Sequence, residues 1–170
     1  SRRHGWCCIH RTGAFNMIPG ALLTPGFYRG MTRLAAPLLP ILLARRTRQG
    51  KEDPSRQEER QGRSSLCRPS GFLIWIHAAS VGESLSILPL ISRLMDDHGA
   101  INILVTSGTR TSATLLGERL PARATHQYVP VDKPSYVSRF IEHWRPDVAL
   151  WTESEFWPNA IFRLLLLLAR

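Results

Sequence analysis

The strongest constraint on this chain is a regular alternation of strand-like and helix-like segments that begins near residue 72. Phe72–Ile76 is a continuous apolar run, which is typical of a strand buried on both faces. The order recurs to the end of the chain, with strands predicted at Phe72–Ile76, Ile101–Val105, Gln127–Val131 and Val148–Trp151 and helices predicted around 87–94, 111–120, 137–144 and 158–170. The alternation predicts an α/β fold with a parallel sheet, right-handed crossovers and helices on its faces.

The loops that follow the predicted strands are the candidate ligand-binding segments. In parallel α/β sheets, ligands bind beyond the carboxyl ends of the strands. That rule selects His77–Glu83, Thr106–Arg110, Val131–Pro134 and Thr152–Trp157. The sequence ends on a predicted helix with no closing strand, so we expect an incomplete sheet.

Charge is distributed very unevenly along the chain, whose formal net charge is +9. Residues 1–70 hold 13 Lys and Arg against 4 Asp and Glu, whereas residues 71–170 hold 9 of each. A balanced body does not favour a nucleic-acid-binding protein, so we expect no nucleic-acid partner. Cys7, Cys8 and Cys67 are odd in number and lack zinc-ligand spacing, which favours a reducing compartment without disulfides.

The composition divides the chain into four segments. Residues 1–16 show no hydrophobic periodicity and are expected to lie outside the folded unit. Residues 17–46 are apolar, and residues 47–70 form a polar surface linker with a possible short helix through Arg56–Arg60. The predicted α/β body takes up residues 71–170.

The apolar segment is too short and too charged to span a bilayer simply. Leu34–Ala44 would rise only about 16 Å as a helix, against a hydrocarbon core of roughly 30 Å. A basic cluster, Arg45–Lys51, follows at once and would suit anionic lipid. We therefore expect residues 17–51 to associate with a membrane surface. The alternative is a helix packed on the core of the body.

The first loop contains Ser80, Gly82 and Glu83. Gly82 is expected to allow tight backbone passage, and Glu83 is delivered at the first turn of a helix, facing the ligand-binding edge. The spacing of Ser80 and Glu83 is equally that of a capping box, in which each side chain bonds to the backbone near the other. From spacing alone, both a catalytic and a capping role for Glu83 remain open.

The fourth loop places two further carboxylates at the same edge. Glu153 and Glu155 directly follow a predicted buried strand, and alternation puts them on one side of an extended segment. Acidic residues beside buried aromatic residues often have perturbed protonation, which makes them catalytic candidates. The ordinary alternative is an acidic helix start.

The second loop, Ser107–Arg110, is rich in hydroxyls and precedes a helix. It could hold a phosphate through backbone N–H groups and Arg110, or serve as an ordinary helix cap. His77, His98, His126 and His143 show no common spacing, so we expect no metal site. The usual dinucleotide and lipase motifs are absent from the sequence.

Taken together, these loops resemble the 3-deoxy-D-manno-octulosonic acid (Kdo) transferases of Gram-negative bacteria. The matching stretches are Ile74–Glu83, Leu104–Ala113, His126–Asp132 and Trp151–Asn159, preceded by Lys51–Pro54 and by Glu59, Arg60 and Gly62. The resemblance implies the Rossmann-like, acceptor-binding N-terminal domain of a two-domain GT-B glycosyltransferase, here incomplete.

Such an enzyme moves Kdo from CMP-Kdo to a hydroxyl of the lipid A precursor, with inversion and without a cofactor, at the cytoplasmic face of the inner membrane. The resemblance makes Glu83 the general base and Glu153 a stabiliser of the transition state. The acceptor-binding residues that it implies are Ser80, Gly82, Ser107, Thr109, Arg110 and Glu155. The donor-binding domain is missing from this sequence, so we expect a fragment that is inactive alone.

Two other functions stay open. One is a membrane-associated α/β binding module without chemistry, in which Ser80 and Glu83 only cap a helix. The other is a phosphate-binding α/β enzyme that uses Ser107–Arg110.

Overall fold

A computed structural model describes residues 7–8, 30, 34, 36–152 and 157–168. The strands are β1 (Cys7–Cys8), β2 (Leu73–His77), β3 (Asn102–Ser107), β4 (Ala124–Tyr128) and β5 (Val148–Trp151). The helices are α1 (Leu39–Arg48), α2 (Gln57–Arg60), α3 (Val81–Asp97), α4 (Arg110–Arg119), α5 (Pro134–Trp144) and α6 (Pro158–Leu168).

The strands form one sheet in the order β1-β5-β2-β3-β4. The four strands β2 to β5 run parallel, which confirms the predicted α/β fold with its parallel sheet. The two-residue strand β1 pairs antiparallel with β5 at the edge of the sheet and was not foreseen. The other residues of the predicted leader, 1–6 and 9–16, lie outside the described residues.

The order in which successive strands are added to the sheet reverses at β2. The chain moves outward from β2 to β3 and β4, then returns to place β5 on the other side of β2. The register pairs His77 of β2 with Trp151 of β5 at their carboxyl ends. A reversal of this kind opens a crevice beyond the strand ends, where α/β proteins bind their ligands.

Alternating side chains of the sheet fill two separate cores. Leu73 and Trp75 point to one face, where they pack with α5 and α6 around Phe140 and Leu164. Ile74 and Ile76 point to the other face and pack against α3. Strand residues are therefore buried on both sides, which explains why the central strands read as continuous apolar runs.

The third strand differs from its predicted position. It spans Ala124–Tyr128, whereas the sequence pattern predicted Gln127–Val131. The pairing of β4 with β3 begins at Ala124 and ends at Tyr128, so the apolar run that follows lies beyond the ladder. The polar residues His126 and Gln127 are buried in the strand because each makes a hydrogen bond, to Ser107 and Trp144 respectively.

The predicted linker 47–70 is attached to the body by buried charged side chains. Glu52 is only 2% exposed and forms ion pairs with both Arg46 and Arg60. Arg60 also donates to the carbonyl of Val129 at 2.6 Å. The possible short helix is confirmed as α2, preceded by a 3-10 turn at Pro54–Arg56. Since Glu52 bonds to Arg46 at the end of α1, this segment joins α1 to the body.

Candidate active site at the carboxyl ends of the central strands

The turn between β2 and α3 delivers Glu83 to the crevice. β2 ends at His77, and Ser80 caps α3 in an extended conformation. Glu83 follows in the first turn of the helix, where the positive end of the helix dipole stabilises a carboxylate. The sequence therefore places Glu83 by local rules alone.

Hydrogen-bond donors from both sides of the crevice hold the Glu83 carboxylate. Its Oε2 accepts the backbone N–H of Ala79 at 2.8 Å, and its Oε1 accepts the Ser80 hydroxyl at 2.8 Å. Thr152, at the end of β5, places its Oγ1 3.1 Å from Oε2. The Glu83 N–H donates back to Ser80 Oγ at 3.3 Å, so the predicted capping interaction is present. The contact with Thr152 goes beyond a cap, because Thr152 directly follows another strand, β5.

His77 is the last residue of β2, and from sequence it was placed in the first candidate loop and considered as a metal ligand. Its Nδ1 lies 2.9 Å from the Thr106 hydroxyl, which also accepts the indole N–H of Trp75. Burial lowers the pKa of His77 to about 4, although the negative charge of Glu83 opposes that shift. The ring of Trp157, just before α6, meets the His77 ring edge to face at 5.9 Å. The imidazole is therefore neutral at physiological pH.

The two carboxylates predicted in the fourth loop, Glu153 and Glu155, lie outside the described residues. The residues on either side of them border the crevice. Thr152 donates its N–H to the carbonyl of His77 at 3.2 Å, and Trp157 packs on the His77 ring. The catalytic role of Glu153 and the acceptor-binding role of Glu155 stay predictions.

The hydroxyl-rich second loop makes contacts within the protein. The Ser107 side chain is completely buried and bonds to Nε2 of His126 at 2.9 Å. Thr109 caps α4 through the N–H of Ser112, and Arg110 donates to the carbonyl of Gly50 at 3.1 Å. Acceptor binding by Ser107, Thr109 and Arg110 stays a prediction, as does phosphate binding by this loop. Beside α4, a cavity of about 520 Å³ is lined by Arg110, Arg119 and Gly50 among others.

Gly82 does not sit at a tight backbone crossing, so that expectation is wrong. It lies in the first turn of α3, and a Cβ built there would meet nothing within 4 Å. The close approach occurs at Gly62, where a Cβ would overlap the carbonyl oxygen of Tyr136 and φ is +76°. No local pattern indicates that contact, because Tyr136 belongs to a helix more than seventy residues later. Binding of an acceptor near Ser80 and Gly82 stays a prediction.

The chain is similar in sequence to a family of known proteins. Residues 33–165 match the sequence profile described as "3-Deoxy-D-manno-octulosonic-acid transferase (kdotransferase)". A probable mitochondrial 3-deoxy-D-manno-octulosonic acid transferase of Arabidopsis thaliana is 37% identical over 134 residues, covering 79% of this chain and 30% of the relative. The 3-deoxy-D-manno-octulosonic acid transferase of Rickettsia bellii is 39% identical, with coverages of 79% and 32%.

A further relative is the 3-deoxy-D-manno-octulosonic acid transferase of Haemophilus influenzae, 32% identical over 143 residues and covering 82% of this chain and 33% of the relative. The chain thus spans about a third of the length of the curated relatives that it matches. No solved structure matches it.

Proposed function

We propose, because the chain belongs to the 3-deoxy-D-manno-octulosonic acid (Kdo) transferase family, that its α/β unit binds the sugar-lipid acceptor of a Kdo transfer reaction. In this proposal Kdo passes from CMP-Kdo to a hydroxyl of the lipid A precursor, with inversion at the anomeric carbon. The unit is the N-terminal half of a GT-B architecture, and CMP-Kdo binds to the other half.

Glu83 is the general base of this proposal. An acceptor hydroxyl becomes a better nucleophile when a carboxylate takes its proton as the new C–O bond forms. Glu153 would favour the positive charge that develops on the donor sugar. The single observation that carries the proposal is the Glu83 carboxylate beside the reversal point. It is bonded to Ala79 and Ser80 of its own loop and to Thr152, which directly follows β5.

Association with the cytoplasmic face of the inner membrane is the second part of the proposal. Within the part of the chain that the structure describes, no helix is long and apolar enough to cross a membrane. The apolar residues Leu34, Leu38, Ile41 and Leu42 each expose more than half of their surface. Arg45 and Arg48 follow in the last turn of α1. An exposed apolar strip that ends in basic residues suits a helix lying on anionic lipid.

Transfer activity tests the base assignment. Because the chain covers about a third of its relatives, we suggest a chimera in which residues 36–168 replace the matching segment of the Haemophilus influenzae relative. With CMP-Kdo and lipid A precursor, Glu83→Gln should reduce kcat by at least about 100-fold, since a general base contributes roughly 10²–10⁴. Glu118→Gln, on the exposed surface of α4, is the matched control and should leave transfer unchanged.

Two results would contradict the proposal. A chimera that folds and transfers no Kdo would contradict the proposed transfer activity. A Glu83→Gln chimera that stays active would contradict the assignment of Glu83 as the general base. In the second case a purely capping role for Glu83 would account for the site, as in a non-catalytic binding module. A larger loss of activity with Arg110→Ala than with Glu83→Ala would instead favour the phosphate-binding alternative.

A further inference from the structure

We propose that Thr152 is a positioning residue, which fixes the Glu83 carboxylate from the end of the neighbouring strand β5. When Glu83 takes up a proton, Thr152 changes from donor to acceptor in its hydrogen bond with Glu83. The catalytic meaning of this contact rests on the proposed function of Glu83. The contact itself does not, and it can be measured without any substrate.

The backbone of Thr152 is anchored at the end of β5. Its N–H donates to the carbonyl of His77 at 3.2 Å, directly beyond the register pair of His77 and Trp151. This bond continues the ladder between β2 and β5 by one residue. The side chain of Thr152 therefore has a fixed starting point above the crevice.

The Thr152 hydroxyl lies between two acceptors. Its Oγ1 is 3.0 Å from the carbonyl oxygen of His77 and 3.1 Å from Oε2 of Glu83. A hydroxyl has one proton to donate and two lone pairs to accept with, and its proton rotates to suit its surroundings. Only one of the two acceptors can receive that proton at a time.

The protonation of Glu83 decides which of them does. When Glu83 is ionised, the Thr152 proton goes to the carboxylate, because a bond to a charged oxygen is the stronger one. When Glu83 has taken a proton on Oε2, its new O–H donates to Thr152 Oγ1, and the Thr152 proton turns to the carbonyl of His77. The Thr152 proton has an acceptor in both states, and the distance between Glu83 and Thr152 need not change.

Ala79 and Ser80 contribute differently from Thr152 to holding Glu83. The backbone N–H of Ala79 can only donate, so it favours the ionised form alone. Ser80 is close in sequence to Glu83 and moves with the same loop. Thr152 directly follows a different strand and lies 69 residues away in sequence, and so fixes the carboxylate relative to β5.

The titration of Glu83 in the intact 170-residue chain tests the contact. Carbon-13 NMR of the glutamate carboxyl groups gives the pKa of Glu83, and its signal is assigned by its loss in Glu83→Gln. Thr152→Val keeps the shape and removes the hydroxyl, so we expect the pKa of Glu83 to rise by roughly 0.5–1 unit, because the lost bond favoured the anion more than the acid. Thr152→Ser keeps the hydroxyl and should restore the wild-type pKa.

Two further variants keep the test decisive. Thr125→Val removes a hydroxyl from β4, which β3 separates from β2, and should leave the Glu83 pKa unchanged. If Thr152→Val does not fold, Thr152→Ala removes the same hydroxyl from a smaller side chain. A Glu83 pKa that stays within about 0.2 units of wild type in the folded valine or alanine variant, or that falls, overturns the proposal.

The active chimera separates this inference from the proposed function. There, Thr152→Val should move the acidic limb of the pH profile of kcat/KM upward by the same amount as the Glu83 pKa, and Thr152→Ser should move it back. If Glu83→Gln stays active while Thr152→Val still shifts the Glu83 pKa, the base assignment fails and the contact stands. If the pKa shifts but the profile of a Glu83-dependent enzyme does not, the positioning role fails.

Discussion

The Glu59 carboxylate accepts the backbone N–H of Tyr128 at 2.7 Å, along the free edge of β4. Arg56 donates to the carbonyl of His126 at 3.0 Å on the same edge and pairs with Glu59. Among the described strands β4 is the last on this side of the sheet, so these backbone groups would otherwise be open to another strand. Two side chains of the segment before the α/β body thus occupy positions that a further strand would take, which protects the edge against unwanted pairing.

Removal of Glu59 should therefore both destabilise the protein and promote its association. We expect Glu59→Ala to lower the free energy of unfolding by about 2–3 kcal/mol, since the N–H of Tyr128 and the Arg56 guanidinium both lose a partner. Urea denaturation measures the loss, and sedimentation velocity detects the association. Glu58→Ala, whose side chain is 74% exposed, is the control and should change neither. A monomeric Glu59→Ala of wild-type stability would contradict the edge protection.

Two glycines should respond to alanine in opposite directions. Gly62→Ala places a Cβ against the Tyr136 carbonyl at φ +76°, so we expect a loss of about 3 kcal/mol or more in unfolding free energy. Gly117 lies in α4 with nothing within 4 Å, and Gly117→Ala should stabilise by about 0.5–1 kcal/mol. Thermal unfolding of the two variants under the same conditions compares them. Equal effects would argue against the close packing of Gly62 on α5.

The protein should lose stability as the pH falls below that of neutral solution. Burial lowers the pKa of His126 to about 3, helped by Arg56, and that of His77 to about 4. The unfolded chain binds these protons near pH 6.5, well before the folded protein does. Each buried histidine therefore stabilises the fold fully above pH 6.5, and that contribution is lost as the pH falls towards the folded value.

Replacing one buried histidine isolates this effect. Between pH 6 and 4, His126→Gln should reduce the slope of the unfolding free energy against pH by about 1.4 kcal/mol per pH unit. The exposed His98, replaced in the same way, is the control and should leave the slope unchanged. Urea titrations at several pH values provide the measurement. An unaltered slope in His126→Gln would mean that this imidazole is protonated in the folded state.

Membrane binding should depend on the outward face of α1. We expect the double substitution Arg45→Ala and Arg48→Ala to weaken the affinity for anionic vesicles by roughly 10- to 30-fold, at about 1 kcal/mol per charge. Co-sedimentation with the vesicles measures this affinity. Ile41→Ser should weaken it as well, because Ile41 is 67% exposed and available to the bilayer. Leu85→Ser, at an exposed position of α3, is the matched control. Undiminished binding by both the arginine pair and Ile41→Ser would place the membrane contact elsewhere.

Much of the α/β body follows from local sequence rules. The apolar runs predicted the four parallel strands, and three of them lie within two residues of the predicted bounds. Ser80 and Thr109 have cap-forming side chains and begin α3 and α4 as such residues do. These features depend on the conformational preferences of neighbouring residues, which are present in the sequence itself. The family match likewise depends only on residue order.

The tertiary structure alone decided which distant residues meet. Only strand pairing set the bounds of β4, because its buried His126 and Gln127 are polar and give no apolar signal. Only the return of β5 to the side of β2 brought Thr152 to Glu83. The same is true of Glu59 on the edge of β4, whose charge reads in sequence as a solvated surface. Such contacts join residues some 70 positions apart, and local preferences along a chain carry no information about partners at that distance.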